Sequence, residues 1–368
     1  MTTPSNPRRP KVVTALSGTR AKLLADLTSR IIGQPDALEQ IIPRYQMYAA
    51  GLSPDNRPAG IFMLLGPTGT GKTATVEALA EVIHGSRKNV LRIDCGEYQM
   101  EHEVAKLIGA PPGYLGHRET QPILTQMKLN AVMSARCNLA IILFDEIEKA
   151  ASSMLRLLLG VLDKGRLQLG DNTTVQFEQT LIFFTSNLGS AEMSRELGSG
   201  YGLSAAHITA KSIQTDLTRI TMGAIKRRLS PEFINRVDVF LTYKPLSESD
   251  MLQILEIQLI DLSDRLNRRL GDRSFFLRLS KSARDWLIAN GFSKEYGARE
   301  LKRTIDRQVL QPLADLLADG EIAPGAIVDV KPARGGKSLT FQVEEDAAEG
   351  SGSVVTDRVE LRLRAEIT

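Results

Sequence analysis

Residues 61–85 read IFMLLGPTGTGKTATVEALAEVIHG, and this stretch decides the fold. The run from Ile61 to Leu65 is apolar throughout, which is typical of a strand that is buried on both faces. Residues 66–73 then match the phosphate-loop pattern G-x-x-x-x-G-K-[ST] at every fixed position, and a helical pattern follows them. The stretch therefore predicts a strand, a phosphate-binding loop and a helix in direct succession.

A loop of this kind binds phosphate through its backbone N–H groups and through the positive N-terminal end of the helix that follows it. Lys72 is expected to reach the β and γ phosphates of a nucleotide, and Thr73 is expected to place its hydroxyl on Mg²⁺. A glycine-rich turn that binds nothing is the alternative, and the strand and helix on its two sides argue against it. The residues expected to hold the nucleotide here are Gly66, Pro67, Thr68, Gly69, Thr70, Gly71, Lys72 and Thr73.

The composition is that of an ordinary soluble protein, with 42% hydrophobic and 24% charged residues in 368. The net charge of +3 is spread along the chain, whereas a nucleic-acid partner would favour a basic face or cluster. Cys95 and Cys137 are too few for a disulfide framework, which favours a reducing compartment. Residues 1–13 lack the apolar core of a signal peptide, and no apolar run is long enough to span a membrane, so a cytoplasmic protein without a membrane partner is expected.

The chain is expected to form two domains between two short terminal segments. Residues 1–19 are polar and contain three prolines, which favours a flexible leader. Apolar strands alternate with helical patterns over residues 20–244, which predicts an α/β domain whose parallel sheet is covered by helices, and Pro43 should interrupt one of these helices. Residues 245–345 carry a long leucine-rich helical pattern and predict a smaller, mainly helical domain, after which residues 346–368 form a tail.

Two carboxylates, Asp145 and Glu146, come directly after the apolar run 139–144. Downstream of a phosphate loop, the carboxylate of Asp145 is expected to complete the environment of Mg²⁺. Glu146 is expected to polarise the water that attacks the γ phosphate. The alternative is an ordinary acidic pair at the end of a strand, which the preceding phosphate loop makes the weaker interpretation.

Asn187 follows a further apolar run, 181–184, and is suited to orient a water against a phosphate without adding charge. By itself it would be interpreted as the cap of the next helix. The sequence around Arg236, taken by itself, also fits a solvated surface arginine.

Seven stretches together resemble the AAA+ ATPases of the Clp unfoldase family, and most closely the second ATPase domain of ClpB and ClpC. The resemblance covers about residues 30–343, and the stretches are RIIGQ at 30–34, NRPAGIFMLLGPTGTGKT at 56–73, LIGAPPGYLG at 107–116, IILFDEIEKA at 141–150, FFTSNLGS at 183–190, PEFINR at 231–236 and YGARELKR at 296–303.

The resemblance implies ATP as the nucleotide and a role for individual residues of the nucleotide site. Ile31 and Ile32 are similar to the segment that holds adenine, and Asn187 is similar to the residue called sensor 1. Arg236 resembles the arginine finger, which reaches into the nucleotide site of a neighbouring subunit, and Arg299 resembles sensor 2. Lys72 with Thr73 and Asp145 with Glu146 correspond to the Walker A and Walker B pairs.

The resemblance also implies a hexameric ring that threads unfolded or tagged polypeptide through its centre. The loop that would grip the polypeptide consists of Gly113, Tyr114, Leu115 and Gly116, although composition alone is equally compatible with Tyr114 folding back to cover the core. The N-terminal domain and the first ATPase domain of ClpB and ClpC have no counterpart in the 368 residues, so a stand-alone single-ring protein is expected. We therefore expect an ATP-hydrolysing unfoldase or remodelling chaperone.

Other functions stay open. An ATPase subunit of a Clp-type protease would dock a peptidase through Tyr201, Gly202 and Leu203, where tyrosine is a poor match to the family's aliphatic residue and a plain surface loop is the alternative. A nucleic-acid motor would need a basic pore loop, and only Lys106 and Arg118 lie nearby. A nucleotide-dependent scaffold would not need the Walker B carboxylates or the arginine finger.

Overall fold

The computed structural model describes residues 18–109, 122–190, 192–193, 210–293 and 297–344. The expected leader before residue 18, the tail, the pore loop Gly113–Gly116 and the tripeptide Tyr201–Leu203 lie outside these ranges, so the expectations about them stay predictions. Among the helices in the described part of the chain, none has the length and apolarity needed to cross a membrane.

Strands and helices both occur along the described part of the chain. The strands are β1 Gly60–Leu65, β2 Leu91–Asp94, β3 Ala140–Asp145, β4 Arg166–Gln168, β5 Thr174–Gln176, β6 Thr180–Ser186, β7 Val239–Thr242, β8 Phe276–Leu279, β9 Ile327–Pro332 and β10 Leu339–Glu344. The helices are α1 Gly18–Thr28, α2 Pro35–Ala49, α3 Lys72–His84, α4 Ala105–Ile108, α5 Gln126–Ala131, α6 Ser152–Lys164, α7 Ala210–Arg228, α8 Pro231–Arg236, α9 Glu248–Leu270, α10 Lys281–Gly291, α11 Ala298–Ile305 and α12 Gln311–Ala318.

The central sheet has five strands in the order β2-β3-β6-β1-β7, and every pair in it is parallel. Its three middle strands, β3, β6 and β1, are buried along their whole length because both faces are covered. Ile61, Met63 and Leu65 belong to one buried cluster, whereas Phe62 and Leu64 belong to another on the opposite face. The predicted parallel sheet with helices on both faces is thereby confirmed.

The parallel arrangement decides where a site can form. All five strands end at the same edge of the sheet, so the segments that follow β1, β3 and β6 meet there. The phosphate loop follows β1, Glu146 follows β3 and Asn187 follows β6. These are the segments on which the sequence places the nucleotide site.

The described residues divide into two compact units. One comprises those within Met1–Ile254 and Phe292–Leu301, and the other those within Leu255–Gly291 and Lys302–Thr368. The second unit holds a three-stranded sheet in the order β10-β9-β8 together with α10 and α12. The expected boundary at residues 244 and 245 stays a prediction, and the segment Phe292–Leu301 groups with the first unit.

The expected interruption at Pro43 is wrong, because α2 continues through it from Pro35 to Ala49. A proline inside a helix costs about 3 kcal/mol through its missing N–H and its ring. Ile41 and Ile42, directly before it, are fully buried, and each such side chain contributes about 1.5–3 kcal/mol. Packing of this face therefore offsets the cost of the proline.

Candidate functional site

The phosphate loop depends on glycine at several positions. Gly66, Gly69 and Gly71 have φ values of 141°, 76° and 100°, a region that residues with a side chain rarely adopt. At Gly66 there is also no room, because a Cβ atom would lie 2.6 Å from the backbone oxygen of Tyr243. The loop is braced internally by Thr70, whose hydroxyl donates to Pro67 O at 2.8 Å. The backbone curls as the sequence predicts, and α3 begins directly after it.

Lys72 is buried at the centre of this loop, with 7% of its surface exposed. Its Nζ donates to Gly66 O at 2.7 Å, to Pro67 O at 2.8 Å and to Asn187 Oδ1 at 2.8 Å. Burial lowers the pKa of Lys72 to about 8; the carboxylates of Glu148, Asp145 and Glu146 oppose this lowering, and Arg299 adds to it. A buried cation among oxygen acceptors, at the N-terminal end of a thirteen-residue helix, fits an anionic phosphate.

Asp145 ends β3 and is buried, with 8% of its surface exposed. The hydroxyl of Thr185 donates to its Oδ1, and the guanidinium of Arg92 pairs with its Oδ2. A buried carboxylate is the oxygen chemistry that Mg²⁺ prefers, and the charge of Asp145 acts on Lys72 at the start of α3. Asp145 therefore fits the expected metal, and the hydroxyl-bearing Thr73 follows Lys72 on α3. Arg92 supplies the balancing positive charge in this structure.

The side-chain amide of Asn187 contacts both Lys72 and Glu146. Its Nδ2 donates to Glu146 Oε1 at 3.3 Å, while its Oδ1 accepts from Lys72. Glu146 is also held by Lys149, which forms an ion pair with its other oxygen and whose pKa is raised by that hydrogen bond. The structure therefore brings together Lys72, Glu146 and Asn187, which the sequence had placed on three separate segments.

The segment expected to hold adenine is fastened to the phosphate loop. Ile31 is buried and Ile32 is half-buried. Two residues later, the Gln34 amide donates to Lys244 O at 2.9 Å and to Thr70 O at 3.3 Å, and accepts from Lys244 N at 3.1 Å. This amide fixes the segment beside the nucleotide loop.

Arg299 also lies near the loop. The N–H of Ala298 donates to Gly69 O at 3.1 Å, and a Cβ atom on Gly297 would lie 2.8 Å from the same oxygen. The side chain of Arg299 is exposed, and its charge is close enough to act on the pKa of Lys72. The start of α11 therefore belongs to the surroundings of the phosphate loop.

Arg236 lies elsewhere. It precedes β7, which pairs in parallel with β1 from Phe62 opposite Val239 onward. The phosphate loop follows the other end of β1, which over six residues spans about 20 Å. Arg236 Nε lies 2.9 Å from Asp163 Oδ1, close enough for an ion pair although the two are not aligned as a hydrogen bond. The structure does not bring Arg236 to the nucleotide site of its own chain.

Sequence reasoning missed three residues that contact the site. Thr185 donates to Asp145 and accepts from the N–H of Glu146 at 3.0 Å, and Arg92 pairs with Asp145. Glu148 accepts from the N–H of Asn187 at 3.0 Å. An arginine inside a short apolar strand and a third carboxylate after the Asp-Glu pair were the available signals, and Thr185 gave none.

Comparisons with known proteins were made against family models, curated sequences and solved structures. The family model described as AAA domain (Cdc48 subfamily) matches residues 57–240, which is half of the chain. The model described as C-terminal, D2-small domain, of ClpB protein matches residues 246–330.

Curated relatives match along most of the chain. The chaperone protein ClpB of Meiothermus ruber is 38% identical over 339 residues, which are 91% of this chain and 37% of that protein. ClpB of Rhodopseudomonas palustris is 40% identical over 330 residues, 89% of this chain and 35% of that protein. The chain thus spans only about a third of the length of these relatives.

One solved structure extends the similarity to the fold. It is a closed-state cryo-EM reconstruction of Hsp104 with ATPγS and FITC casein. The match has a TM-score of 0.72 at 28% identity, and it covers 89% of this chain and 53% of that one.

Proposed function

The chain belongs to the AAA+ ATPases of the Clp family and is related to the second ATPase domain of ClpB, and from this premise we propose that it hydrolyses ATP to unfold or remodel polypeptides. One observation carries the proposal: the amide of Asn187 contacts both Lys72 and Glu146 at the edge of the sheet where the phosphate loop lies. A cation, a carboxylate and a neutral polar group around one phosphate loop are the parts that hydrolysis of a phosphoanhydride needs.

Each residue of the cluster has a defined task. Lys72 holds positive charge against the phosphates, and Glu146 accepts the proton of the attacking water. Asn187 keeps these two side chains at a fixed separation and adds no charge. Mg²⁺ would be held by Asp145 and Thr73 and would supply positive charge beside the γ phosphate of bound ATP, which hydrolysis would transfer to water.

Arg236 acts on a neighbouring subunit in this proposal. Its position at the far end of β1 supports this, because it is remote from the phosphate loop of its own chain. A ring of identical subunits, a hexamer by analogy with the family, would place it against the next subunit's nucleotide. An arginine supplied in this way stabilises the charge of the transition state.

Arg299 and the phosphate loop support a nucleotide-dependent movement. The N–H of Ala298 is bonded to the phosphate loop itself, so a change in the loop reaches the start of α11 directly. Arg299 would contact the γ phosphate of bound ATP and would lose that contact after cleavage, which would allow the start of α11 to move. This movement would drive the pore loop Gly113–Gly116, whose Tyr114 would grip the polypeptide through its aromatic face.

The partners follow from the same proposal. They are further copies of this chain and unfolded or tagged protein, in the cytoplasm. Hsp104 was reconstructed with casein, which supports a protein substrate for this chain too. Docking of a peptidase through Tyr201, Gly202 and Leu203 stays a prediction, and no observation in the described residues favours the nucleic-acid motor.

The proposal is tested by measuring ATP turnover of the purified protein with and without an unfolded model protein such as casein. Wild type is expected to hydrolyse ATP and to unfold or extract a tagged fluorescent protein. Tyr114→Ala is expected to retain ATP turnover within about threefold and to lose the work on protein, because an aromatic grip contributes only to the polymer contact.

Tyr114→Phe is the matched control for this variant, because it keeps the aromatic face. It is expected to retain the work on protein. Remodelling by Tyr114→Ala at the rate of wild type would contradict the pore assignment, and a wild-type protein that does not hydrolyse ATP would contradict the proposed function itself.

A further inference from the structure

Glu148 has no task in the proposal above, although it lies in the turn directly after Glu146. Its Oε1 accepts a hydrogen bond from the backbone N–H of Asn187 at 3.0 Å. Its Oε2 is buried and has no hydrogen-bond partner among the described residues. A buried carboxylate oxygen without a partner costs free energy of folding, so the side chain is not placed there for its own stabilisation.

The hydrogen bond from Asn187 N to Glu148 lies beyond the last backbone pair between β3 and β6. The ladder between β3 and β6 ends at the pair Phe144 and Phe184, one residue before Asp145. Beyond it, two side chains continue the connection. Thr185 accepts the N–H of Glu146 at 3.0 Å, and Glu148 accepts the N–H of Asn187 at the same distance. Side-chain hydrogen bonds thus replace the backbone ladder where the site residues begin.

The turn that carries Glu148 is held from its other side as well. Arg228, the last residue of α7, donates through Nε to Glu148 O at 2.8 Å and through Nη2 to Ala150 O at 3.4 Å. The backbone of the turn is therefore fixed, and the side chain of Glu148 transmits that fixed position to Asn187.

We propose that Glu148 is a positioning residue that holds Asn187 against Glu146 and Lys72 by bonding its backbone N–H. The inference rests on the proposed function, because it assigns Asn187 the task of aligning those two groups. Without the Glu148 carboxylate the backbone of Asn187 would lose its hydrogen bond to the segment after β3, and only the side chains of Thr185 and of Asn187 itself would join the two strand ends.

A rival explanation assigns importance to the charge of Glu148 rather than to its hydrogen bond. Among the carboxylates, Glu148 contributes most to opposing the lowered pKa of Lys72. Glu148→Gln distinguishes the two explanations, because it keeps an oxygen that can accept from Asn187 N and removes the charge. Glu148→Ala removes both.

The experiment compares steady-state ATP turnover of Glu148→Ala and Glu148→Gln with wild type. Glu148→Ala is expected to lower kcat by about ten- to hundredfold and to leave KM within about threefold, as removal of a supporting hydrogen bond does at other sites. Glu148→Gln is expected to retain at least about a third of kcat, since its amide oxygen restores the bond. Glu39→Ala, on the exposed face of α2, is the matched control and should behave as wild type.

A double variant tests whether Glu148 acts through Asn187. Combined with Asn187→Ala, the change Glu148→Ala should lower kcat by no more than about twofold further, because the side chain that it positions is already absent. A full multiplicative loss would overturn the proposal. So would a wild-type kcat in Glu148→Ala, or equal losses in Glu148→Gln and Glu148→Ala.

Amide hydrogen exchange supplies a measurement that does not depend on turnover. The N–H of Asn187 is expected to exchange at least about tenfold faster in Glu148→Ala than in wild type and to stay protected in Glu148→Gln. Unchanged exchange in Glu148→Ala would overturn the positioning role even if wild type proved unable to hydrolyse ATP. Absence of turnover in wild type with the expected exchange pattern would instead overturn the proposed function alone.

Discussion

Glu146 adopts a left-handed backbone conformation, with φ 55° and ψ 53°, where β3 ends. This conformation costs about 1–3 kcal/mol for a residue with a side chain and persists only where its surroundings impose it. Here the hydroxyl of Thr185 accepts its N–H, and Asn187 and Lys149 hold its two carboxylate oxygens. The strained residue is the one expected to activate water, and its neighbours keep its carboxylate directed at the site.

Glu146→Gln is predicted to bind ATP and to hydrolyse it about 10²–10⁴ times more slowly, because the amide keeps the shape of the side chain but cannot accept a proton. Nucleotide affinity should stay within about threefold, since Lys72 and the loop are unchanged. A fluorescent ATP analogue measures the affinity, and phosphate release measures the rate. Glu178→Gln, on an exposed turn, is the control. Turnover at the wild-type rate in Glu146→Gln would remove Glu146 from its role.

Sequence alone could identify the candidate site residues that lie at or just after the end of a strand, or at the start of the next helix. These are Lys72, Asp145, Glu146 and Asn187. Their meeting is a consequence of topology. Thr185 could not be identified in this way, because its hydroxyl lies within an apolar strand and meets its hydrogen-bond partner Asp145 only when β6 pairs with β3. Sequence spacing gives the end of a strand and does not give the side chains that cross to the next one.

The elements themselves were predictable to different degrees. Continuous apolar runs predicted β1, β3 and β6, since both faces of these strands are buried. By contrast, α7 was missed, because its start borders a polar Gly/Ser-rich stretch. Three of its buried residues, Leu217, Thr221 and Ile225, follow a spacing of four. One of them, Thr221, is polar, and its hydroxyl donates within the helix to Leu217 O. Apolar periodicity does not detect such a face.

A single tryptophan in a sequence is most simply interpreted as a core residue, but Trp286, the one tryptophan of this chain, lies on α10 and is half-buried. Its indole N–H donates to Gly336 O at 2.6 Å, in the turn between β9 and β10. Its polar edge therefore holds the turn between β9 and β10. The amphipathic character of the indole explains why composition alone misplaced it.

The start of α11 meets the phosphate loop at one glycine. Gly297 has φ 51°, and a Cβ atom there would lie 2.8 Å from Gly69 O, a backbone atom that cannot rotate away. Gly271 has nearly the same φ, 55°, and has nothing within 4 Å of its Cβ position. Gly297 and Gly271 therefore share the same backbone conformation, and only Gly297 also lies close to another backbone segment. Substituting each by alanine distinguishes the two effects.

Gly297→Ala is predicted to raise the dissociation constant of ATP about tenfold, because the added methyl pushes Ala298 off the phosphate loop and moves Arg299 with it. Gly271→Ala is predicted to leave that constant unchanged. Both should lose stability through the left-handed conformation, by about 1–2 kcal/mol. Equilibrium binding of a fluorescent ATP analogue and thermal unfolding measure the two effects. Equal affinities in the two variants would mean that the contact with Gly69 is irrelevant to nucleotide binding.

In the proposed function, the two ends of β1 lie beside two different nucleotide contacts. The carboxyl end carries the phosphate loop, and the segment beside the amino end carries Arg236, whose Nε lies 2.9 Å from Asp163 Oδ1. Arg57 braces this region, since its guanidinium donates to Arg236 O at 3.3 Å and to Leu162 O at 3.4 Å. A single chain cannot bring both contacts to one nucleotide, so a complete site would require two copies.

Arg236→Ala is therefore predicted to suppress ATP hydrolysis by about 10³-fold or more, the range for an arginine supplied in trans to a GTPase, while the assembly and its affinity for ATP persist. Arg166→Ala, which removes an exposed arginine on β4, should leave the rate unchanged.

Mixing decides whether the arginine acts between subunits. Subunits with Arg236→Ala have an intact phosphate loop but no finger, and subunits with Lys72→Ala have the finger but no functional loop. Each variant is expected to be nearly inactive alone. In mixed rings an intact loop lies beside an intact Arg236, so turnover should reappear in proportion to the number of such neighbouring pairs and reach a maximum at intermediate mixing ratios. If no ratio restores turnover although the subunits co-assemble, Arg236 does not act on its neighbour.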